Sequence, residues 1–259
     1  MVKMLLLDLD GTLLHTDKTI SAYTLWVLNR CREQGVKIAV TTARGASNAG
    51  PYAAALKPEV LISSGGALVQ AGEQILYRCE FSAEETAKLI RTGLSLTHGL
   101  CEITVDTLDR HYWNYKEDPR ILYPDWGDVV HTDYRGFNEP SLKVCMELKD
   151  ESLAAQVAAQ AKDCDFARFS DGNWYKFTRK SATKSNALEV ISKTLAIPAA
   201  EMAAFGDDYV DLEMLRLCGT GVAVGNAIPE VKRIADHVAP SNDEDGVARW
   251  LEENLLGRS

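Results

Sequence analysis

Short apolar runs and segments with helical periodicity alternate along the first part of the chain. Residues 4–8 form a continuous apolar run up to a final aspartate, which is typical of a strand covered on both faces. Apolar side chains between Ile20 and Cys31 recur at helical spacing, and Gly35 is a natural helix stop. A second strand, a second helix and a third strand are predicted around residues 36–42, 50–56 and 59–66. This alternation predicts a parallel sheet wound with helices.

The pattern changes near residue 82 and changes back near residue 180. Between these points, a helical segment precedes short strand-like segments, an aromatic-rich stretch and the hairpin signal Asp171-Gly172-Asn173. After residue 180, strands and helices alternate again. We therefore predict an α/β fold with a Rossmann-like parallel sheet core, helices on both faces, and an inserted α+β domain. The core is predicted at residues 1–82 and 180–259, and the insert at residues 83–179.

Composition narrows the class of protein. The chain has 259 residues, 46% of them hydrophobic, and a net charge of -9. This charge disfavours nucleic acid and anionic membranes as partners but permits a small anionic substrate. No apolar run approaches the roughly 18 residues of a membrane span, and two early aspartates argue against a signal peptide. Six widely spaced cysteines without a C-x-x-C pair indicate reduced thiols and a cytoplasmic protein. No pattern fixes the oligomeric state.

Pairs of acids follow two of the predicted strands. Asp8 and Asp10 end the first strand, and Asp207 and Asp208 follow the apolar run at residues 202–206. Open α/β sheets bind ligands at the carboxyl ends of their strands. Crowded carboxylates repel one another unless a cation lies among them, and oxygen ligands suit Mg²⁺. Any single acid could be a turn or helix-capping residue, whereas two pairs in one sheet favour a metal site.

Lys184 and two threonines add to this hypothesis. Lys184 lies in the first turn of a predicted helix, where the dipole disfavours a cation unless an anion is close. Taken alone, an ordinary solvated lysine is the simpler interpretation. Thr41 and Thr42 end a predicted strand beside backbone N–H groups that can bind phosphate. The combined set predicts phosphoryl transfer, in which a carboxylate attacks phosphorus and a second carboxyl group moves protons.

Four motifs in order make the sequence resemble the haloacid dehalogenase superfamily, in its Cof-like group with a type II-B cap domain. The first, DLDGTLL at residues 8–14, is similar to the family's D-x-D-G-T motif. The others are TTAR at residues 41–44, KSNAL at 184–188 and GDDYVDLEML at 206–215. GVAVGNA at 221–227 and NDEDGVA at 242–248 are similar to the group's closing segments. The resemblance therefore covers nearly the whole chain.

The resemblance implies roles for individual residues. Asp8 is expected to be the nucleophile that becomes an aspartyl phosphate, and Asp10 the general acid/base. Thr42 and Lys184 are the other expected catalytic residues. The expected Mg²⁺ residues are Asp8, Asp10 (through its backbone carbonyl), Asp207 and Asp211. The expected substrate-binding residues are Arg44, Gly11 and Asn226. Asp208 is left open, because the family often has serine there, and Val210 replaces a usual asparagine.

The implied function is a Mg²⁺-dependent phosphatase acting on small phosphorylated metabolites, with sugar phosphates as the expected class. A phosphomutase on the same scaffold and a non-catalytic sugar-phosphate-binding protein are the alternatives. The inserted domain is expected to act as the cap that selects the substrate. Its aromatic side chains could stack on a sugar or a base, although core packing is the simpler interpretation. These are Tyr112, Trp113, Tyr115 and Trp126.

Overall fold

The structure is a computed structural model that describes residues 1–122, 128–169 and 172–257. The chain divides into two compact units. Unit 1 contains Met1–Ala43, Tyr52–Tyr77 and the chain from Thr183 onward, and unit 2 contains Arg44–Pro51 and Arg78–Ala182. The predicted insert at residues 83–179 lies within unit 2, and its role as a cap stays a prediction. All six cysteines fall in the described ranges and are free thiols.

Strands and helices alternate in unit 1. Up to residue 78 the elements are β1 (Met4–Asp8), α1 (Ala22–Glu33), β2 (Lys37–Thr41), α2 (Ala46–Leu56), β3 (Val60–Ser63), β4 (Leu68–Ala71) and β5 (Gln74–Arg78). Helix α2 begins in unit 2 and ends in unit 1. After residue 183 they are α6 (Lys184–Leu195), β12 (Met202–Gly206), α7 (Leu212–Leu217), β13 (Thr220–Ala223), α8 (Pro229–Ile234), β14 (His237–Val238) and α9 (Gly246–Asn254).

Within the described residues, these strands form one sheet in the order β14-β13-β12-β1-β2-β3-β4-β5. The pairs from β14 to β3 are all parallel. Strand β1 lies at the centre and is buried along its length, which explains its continuous apolar run. Because parallel strands end at the same edge, the carboxyl ends of β1, β2 and β12 lie side by side. The predicted parallel α/β fold is confirmed.

The sheet extends further than the sequence pattern predicted. Strand β4 pairs antiparallel with β3, and β5 continues the sheet. The tight turn between β3 and β4 has positive φ at Ser64 (50°), Gly65 (70°) and Gly66 (105°). Strands β4 and β5 are short and partly exposed, so they lack the continuous apolar run that marked β1. This is why periodicity alone did not detect them.

Unit 2 contains a second, mainly antiparallel sheet. Its elements are α3 (Ala83–Leu96), β6 (Ile103–Asp106), β7 (His111–Trp113), α4 (Pro119–Leu122), β8 (Val129–His131), β9 (Lys143–Glu147), α5 (Glu151–Ala158), β10 (Cys164–Arg168) and β11 (Trp174–Arg179). Over the described ranges the strand order is β10-β11-β9-β6-β7-β8, and only β7 and β8 are parallel. This is the α+β architecture predicted for the insert.

Alternate residues of this second sheet build the core of unit 2. Val105, Val144 and Phe177 come from three strands and pack in one apolar cluster with Leu89 of α3. Tyr112 joins this cluster, as the core interpretation of the aromatic residues predicts. Strands β10 and β11 form the predicted hairpin. Two predicted positions, Trp126 and Asp171, lie outside the described residues.

Candidate functional site

Three acids of unit 1 converge at the carboxyl ends of β1 and β12. Asp8 is the last residue of β1 and lies in register with Thr41 of β2. Asp207 directly follows β12, and Asp211 lies one turn later with a completely buried side chain. Asp211 Oδ2 accepts hydrogen bonds from the N–H groups of Asp207 (3.1 Å) and Asp208 (3.2 Å). These two hydrogen bonds hold the backbone of the turn after β12 against the carboxylate of Asp211.

Lys184 joins two of these carboxylates. Its Nζ lies 2.6 Å from Asp8 Oδ1 and 2.6 Å from Asp211 Oδ1. The helix that carries it, α6, is capped by the Thr183 hydroxyl, which accepts the Asn186 N–H at 3.1 Å. The anion expected beside this lysine is thus a pair of aspartates. Lys184 is almost fully buried, so the ammonium is directed by these contacts and not by solvent.

Burial and charge crowding perturb the pKa values of the cluster. Burial raises the pKa of Asp8 well above its usual value, and Asp211 and Asp207 raise it further against the lowering effect of Lys184. Burial also raises the pKa of Asp207 to about 6, although a hydrogen bond from Thr12 lowers it. For Lys184, burial lowers the pKa, but Asp211 and Asp8 outweigh it and the net shift is upward. The surroundings therefore disfavour the ionised forms of Asp8 and Asp207 and favour the protonated form of Lys184.

The donor set fits a divalent metal. Carboxylate oxygens of Asp8, Asp207 and Asp211 all lie within 4.8 Å of one another. Three carboxyl groups face a single ammonium, and burial, with a smaller contribution from the neighbouring acids, raises the pKa values of Asp8 and Asp207. Oxygen donors of this kind are preferred by hard cations such as Mg²⁺. A divalent cation would offset both the repulsion among these carboxylates and the cost of burying them in ionised form.

The turn after β1 packs tightly against Asp207. Thr12 Oγ1 donates a 2.6 Å hydrogen bond to Asp207 Oδ1. Gly11 has φ +78°, and a Cβ at this position would lie 2.4 Å from Asp207 Oδ2. Only glycine therefore allows the turn to approach the carboxylate so closely. Thr12 belongs to the D-x-D-G-T motif but no role of its own was predicted for it, and its position in that motif was the available signal.

The Asp10 side chain makes an ion pair that the sequence did not predict. Asp10 Oδ1 lies 2.9 Å from Nζ of Lys18, and the two side chains are 36% and 39% exposed. Asp10 has extended dihedral angles of -76° and 121° within the irregular Leu9–Leu13 segment. This more accessible acid contrasts with the buried cluster of Asp8, Asp207 and Asp211. Lys18 follows no recognisable pattern, and only the folded turn brings it to Asp10.

Thr42 lies at the end of β2 beside the turn that follows β3. Its N–H donates to the Ile62 carbonyl at 2.9 Å, and its carbonyl accepts the Gly65 N–H at 3.0 Å. Thr42 is buried, as is Thr41. Within the described residues, the Thr41 hydroxyl has no hydrogen-bond partner. The backbone of Thr42 is thereby fixed at the same sheet edge as Asp8.

The remaining predicted residues have different surroundings. The Asn226 amide donates to the Gly11 carbonyl at 2.7 Å and accepts the Asn242 N–H at 3.0 Å, so it braces the turn after β1. Arg44 is buried and belongs to unit 2. Substrate-binding roles for Asn226, Arg44 and Gly11 stay predictions. Asp208 bonds the N–H of the residue after it, at 2.7 Å, and is not one of the three clustered acids.

Among the described residues, no helix combines the length and the apolarity that crossing a bilayer requires.

Comparison with known proteins places this site in context. The family model of haloacid dehalogenase-like hydrolases matches residues 5–251. A 5-amino-6-(5-phospho-D-ribitylamino)uracil phosphatase of Bacillus subtilis is 29% identical over 263 residues, covering 96% of each chain. Another phosphatase of Bacillus subtilis is 28% identical over 286 residues, covering 98% of this chain and 100% of its own.

Solved structures are similar over the same extent. A haloacid dehalogenase-like hydrolase from Bacteroides thetaiotaomicron has a TM-score of 0.84 at 24% identity, covering 96% of this chain and 98% of its own. A sugar phosphatase of haloacid dehalogenase subclass IIB has a TM-score of 0.81 at 24% identity, with the same coverage. Both likenesses concern the fold.

Proposed function

The chain belongs to the haloacid dehalogenase-like hydrolase family and is a phosphatase of that family, and from this premise we propose its chemistry. It hydrolyses small phosphate monoesters, with sugar phosphates as the main class, through an aspartyl-phosphate intermediate and with Mg²⁺ as its metal. One observation carries the proposal: Lys184 Nζ is 2.6 Å from both Asp8 and Asp211, within a cluster of three carboxylates.

In the first step, an Asp8 carboxylate oxygen attacks the phosphorus of the ester. The new Asp8–phosphorus bond forms as the bond from phosphorus to the leaving oxygen breaks, and Asp10 gives its proton to that oxygen. Lys184 is held against Asp8, so its positive charge lies where the attacking oxygen and the phosphoryl group meet. The Thr42 hydroxyl is the further group proposed to stabilise the phosphoryl oxygens.

In the second step, water releases the phosphate. Asp10, now ionised, takes a proton from water as the water oxygen attacks phosphorus. The bond between phosphorus and Asp8 breaks, inorganic phosphate leaves, and both carboxyl groups return to their starting states. The greater exposure of Asp10 suits this role, because it must exchange protons with water while Asp8 stays buried.

The carboxylates of Asp8 and Asp207 and the carbonyl of Asp10 are the groups that would hold the metal, with Asp211 orienting them. When bound, Mg²⁺ would neutralise charge between the carboxylates and the phosphoryl oxygens. Thr12 fixes one oxygen of Asp207, and the backbone N–H groups fix Asp211. These contacts preserve the geometry of the acids before any ligand arrives.

The residues that contact the substrate and select it are also part of the proposal. Arg44, Gly11 and Asn226 would contact the ester, and the insert at residues 83–179 would act as the cap that distinguishes one ester from another. A relative acts on a phosphorylated ribityl compound, so that compound belongs among the candidates.

Free thiols at all six cysteines, each within the described residues, suit a reducing compartment, and we propose a cytoplasmic location.

The test is phosphate release from a panel of esters by the purified protein, before and after removal of metal by a chelator. The panel contains sugar phosphates, 5-amino-6-(5-phospho-D-ribitylamino)uracil, pyridoxal phosphate and flavin mononucleotide. We expect metal-dependent release of inorganic phosphate that stops in Asp8→Asn. Isomerisation of a sugar phosphate without release would indicate a phosphomutase. Binding without turnover would indicate a sensor, and full activity in excess chelator would refute the metal assignment.

A further inference from the structure

Lys18 and Asp10 form an ion pair of 2.9 Å beside the buried acid cluster. We propose that Lys18 is a positioning residue: by donating to Oδ1 of Asp10 it holds the carboxyl group, ionised or neutral, in the orientation from which Oδ2 delivers the proton to the leaving oxygen. This inference deepens the proposed function and rests on it, because the acid/base role of Asp10 is part of that function. Lys18 lies outside the motif that contains Asp10.

Lys18 occupies a turn that its own hydrogen bonds hold closed. The Lys18 N–H donates to the His15 carbonyl at 2.9 Å, and the His15 N–H donates to the Thr19 carbonyl at 3.0 Å. Asp17 Oδ1 accepts both the N–H (3.0 Å) and the hydroxyl (2.6 Å) of Thr19. Lys18 has φ +65°, which side-chain-bearing residues seldom adopt and which persists only where neighbours enforce it. The starting point of the Lys18 side chain is therefore fixed.

The turn is also anchored from outside. Residues 242–245, called here the anchor segment, bind the chain between Leu14 and Thr16. Asp243 accepts the N–H and the hydroxyl of Thr16, both at 2.7 Å. Asn242 Nδ2 donates to the Leu14 carbonyl at 2.9 Å, and Asp245 Oδ1 lies 3.0 Å from His15 Nε2. Lys18 therefore projects from a platform that is joined to the rest of unit 1.

The exposure of the pair indicates what it does. Both side chains are more than one third exposed, so solvent screens their attraction and the pair adds little to stability. Its proposed effect is to select one orientation of the Asp10 carboxyl group, whose side chain is 36% exposed. Two other roles would use the same geometry. Lys18 could merely support its turn, or it could contact the substrate directly.

Steady-state kinetics with Lys18→Met separate these roles, because methionine keeps the length of the side chain and loses the charge. We expect kcat on a sugar phosphate to fall roughly tenfold, with KM unchanged. This loss is smaller than the loss expected from removing the acid, because Asp10 is still present but less well oriented. The loss should be smaller for an aryl phosphate, whose leaving oxygen needs less protonation. Lys18→Arg should restore most of kcat. Lys57→Met is the matched control, since Lys57 is exposed and also has positive φ (47°).

The Asp10→Asn background completes the test. There the proton donor is absent, so adding Lys18→Met should cause no further loss. An unchanged kcat in Lys18→Met, an equal loss in the Asp10→Asn background, or a change confined to KM would each overturn the inference. Lys18→Asn is a second uncharged variant with a side chain that tolerates positive φ, should Lys18→Met not fold. A wild-type protein without any phosphatase activity would instead defeat the proposed function.

Discussion

Thr12 Oγ1 donates a 2.6 Å hydrogen bond to Asp207 Oδ1, although the two residues are 195 positions apart in the chain. This bond orients a carboxylate that we propose as a metal ligand. It also lowers the pKa of Asp207 against the raising effect of burial. Thr12 is therefore expected to control metal affinity without contacting the metal.

The first prediction follows directly from this bond. Thr12→Val keeps the shape of the buried side chain but removes the donor, so Asp207 should be harder to ionise and less well oriented. Loss of an outer contact of this kind typically costs about 10- to 100-fold in metal affinity. We expect the apparent Mg²⁺ affinity, measured by activity titration, to fall within that range.

Thr24→Val is the control for this experiment. Thr24 is also buried, and its hydroxyl donates to Asp245, outside the acid cluster, at 3.0 Å. It should lose stability comparably and keep its Mg²⁺ affinity. A Thr12→Val protein that binds Mg²⁺ as tightly as the wild type would show that this bond is not needed to present Asp207.

The second prediction separates the two acids of the first motif. General acid/base catalysis contributes about 10²- to 10⁴-fold, so Asp10→Asn should lose that factor in kcat. It should still bind Mg²⁺, because the backbone carbonyl remains. Asp8→Asn should be almost inactive, since no carboxylate can attack phosphorus. Single-turnover assays with both variants would test whether Asp8→Asn loses more activity than Asp10→Asn. Near wild-type turnover by Asp8→Asn would show that another residue is the nucleophile.

The third prediction concerns the turn that supports α6. Gly66 has φ +105°, and a Cβ there would lie 2.3 Å from the Thr183 carbonyl oxygen. Gly66→Ala must therefore displace the residue that caps α6, and with it Lys184. We expect kcat to fall by roughly tenfold or more, because small displacements of catalytic groups are costly.

Gly72→Ala provides the comparison for Gly66→Ala. Gly72 also has positive φ (57°), but nothing lies within 4 Å of an added Cβ. It should lose about 1 kcal/mol of stability from backbone strain and retain full kcat. Equal kcat values in the two variants would argue that the approach of Gly66 to Thr183 does not position Lys184.

The fourth prediction is a pH dependence of stability in unit 2. Asp106 is fully buried, and although burial raises its pKa, Lys143 at 2.8 Å and His111 outweigh this and hold the pKa well below its usual range. The folded state therefore binds fewer protons at Asp106 than the unfolded state. Its stabilising contribution is present above the unfolded pKa, near 4, and is lost as pH falls.

Urea unfolding of the wild type and Asp106→Asn should reveal this contribution. At pH 7 the variant should be less stable by about 3 kcal/mol, because Lys143 keeps its burial and loses its charged partner. The difference should shrink as pH falls below about 4. Asp163→Asn, at an exposed position with φ +49°, is the control for removing a carboxyl group outside this buried set. A constant gap between wild type and Asp106→Asn at all pH values would contradict the assignment.

The buried strands of unit 1 could be predicted because each combines an apolar run with a chemically distinctive end. Residues 4–8 and 202–206 showed this combination, and the acids that follow them do converge. Strands β4 and β5 carried no such signal, since partly exposed strands need no continuous apolar run. Helix α2 also begins earlier than the predicted segment, at Ala46.

Contacts between individual side chains could not be predicted from local pattern. Lys18 is an unremarkable lysine in sequence, and its approach to Asp10 depends on a turn with positive φ. The pairing of Thr12 with Asp207 likewise exists only once β1 and β12 are neighbours. The periodicity of apolar residues indicates which face of a helix or strand a residue occupies. The residue that it contacts, and the distance between them, depend on the whole fold.

The anchor segment lies late in the chain, so we expect the site to be completed late in synthesis. His15 and Asp245 are separated by 230 positions, so the ribosome makes the aspartate long after the turn that carries Asp10 has emerged. Pairings across such distances form late, because long loops must close first. A nascent chain that already contains Asp8 and Asp10 therefore still lacks the contacts that hold the turn after β1. Full phosphatase activity of a nascent chain is therefore expected only after residues 242–245 have been made.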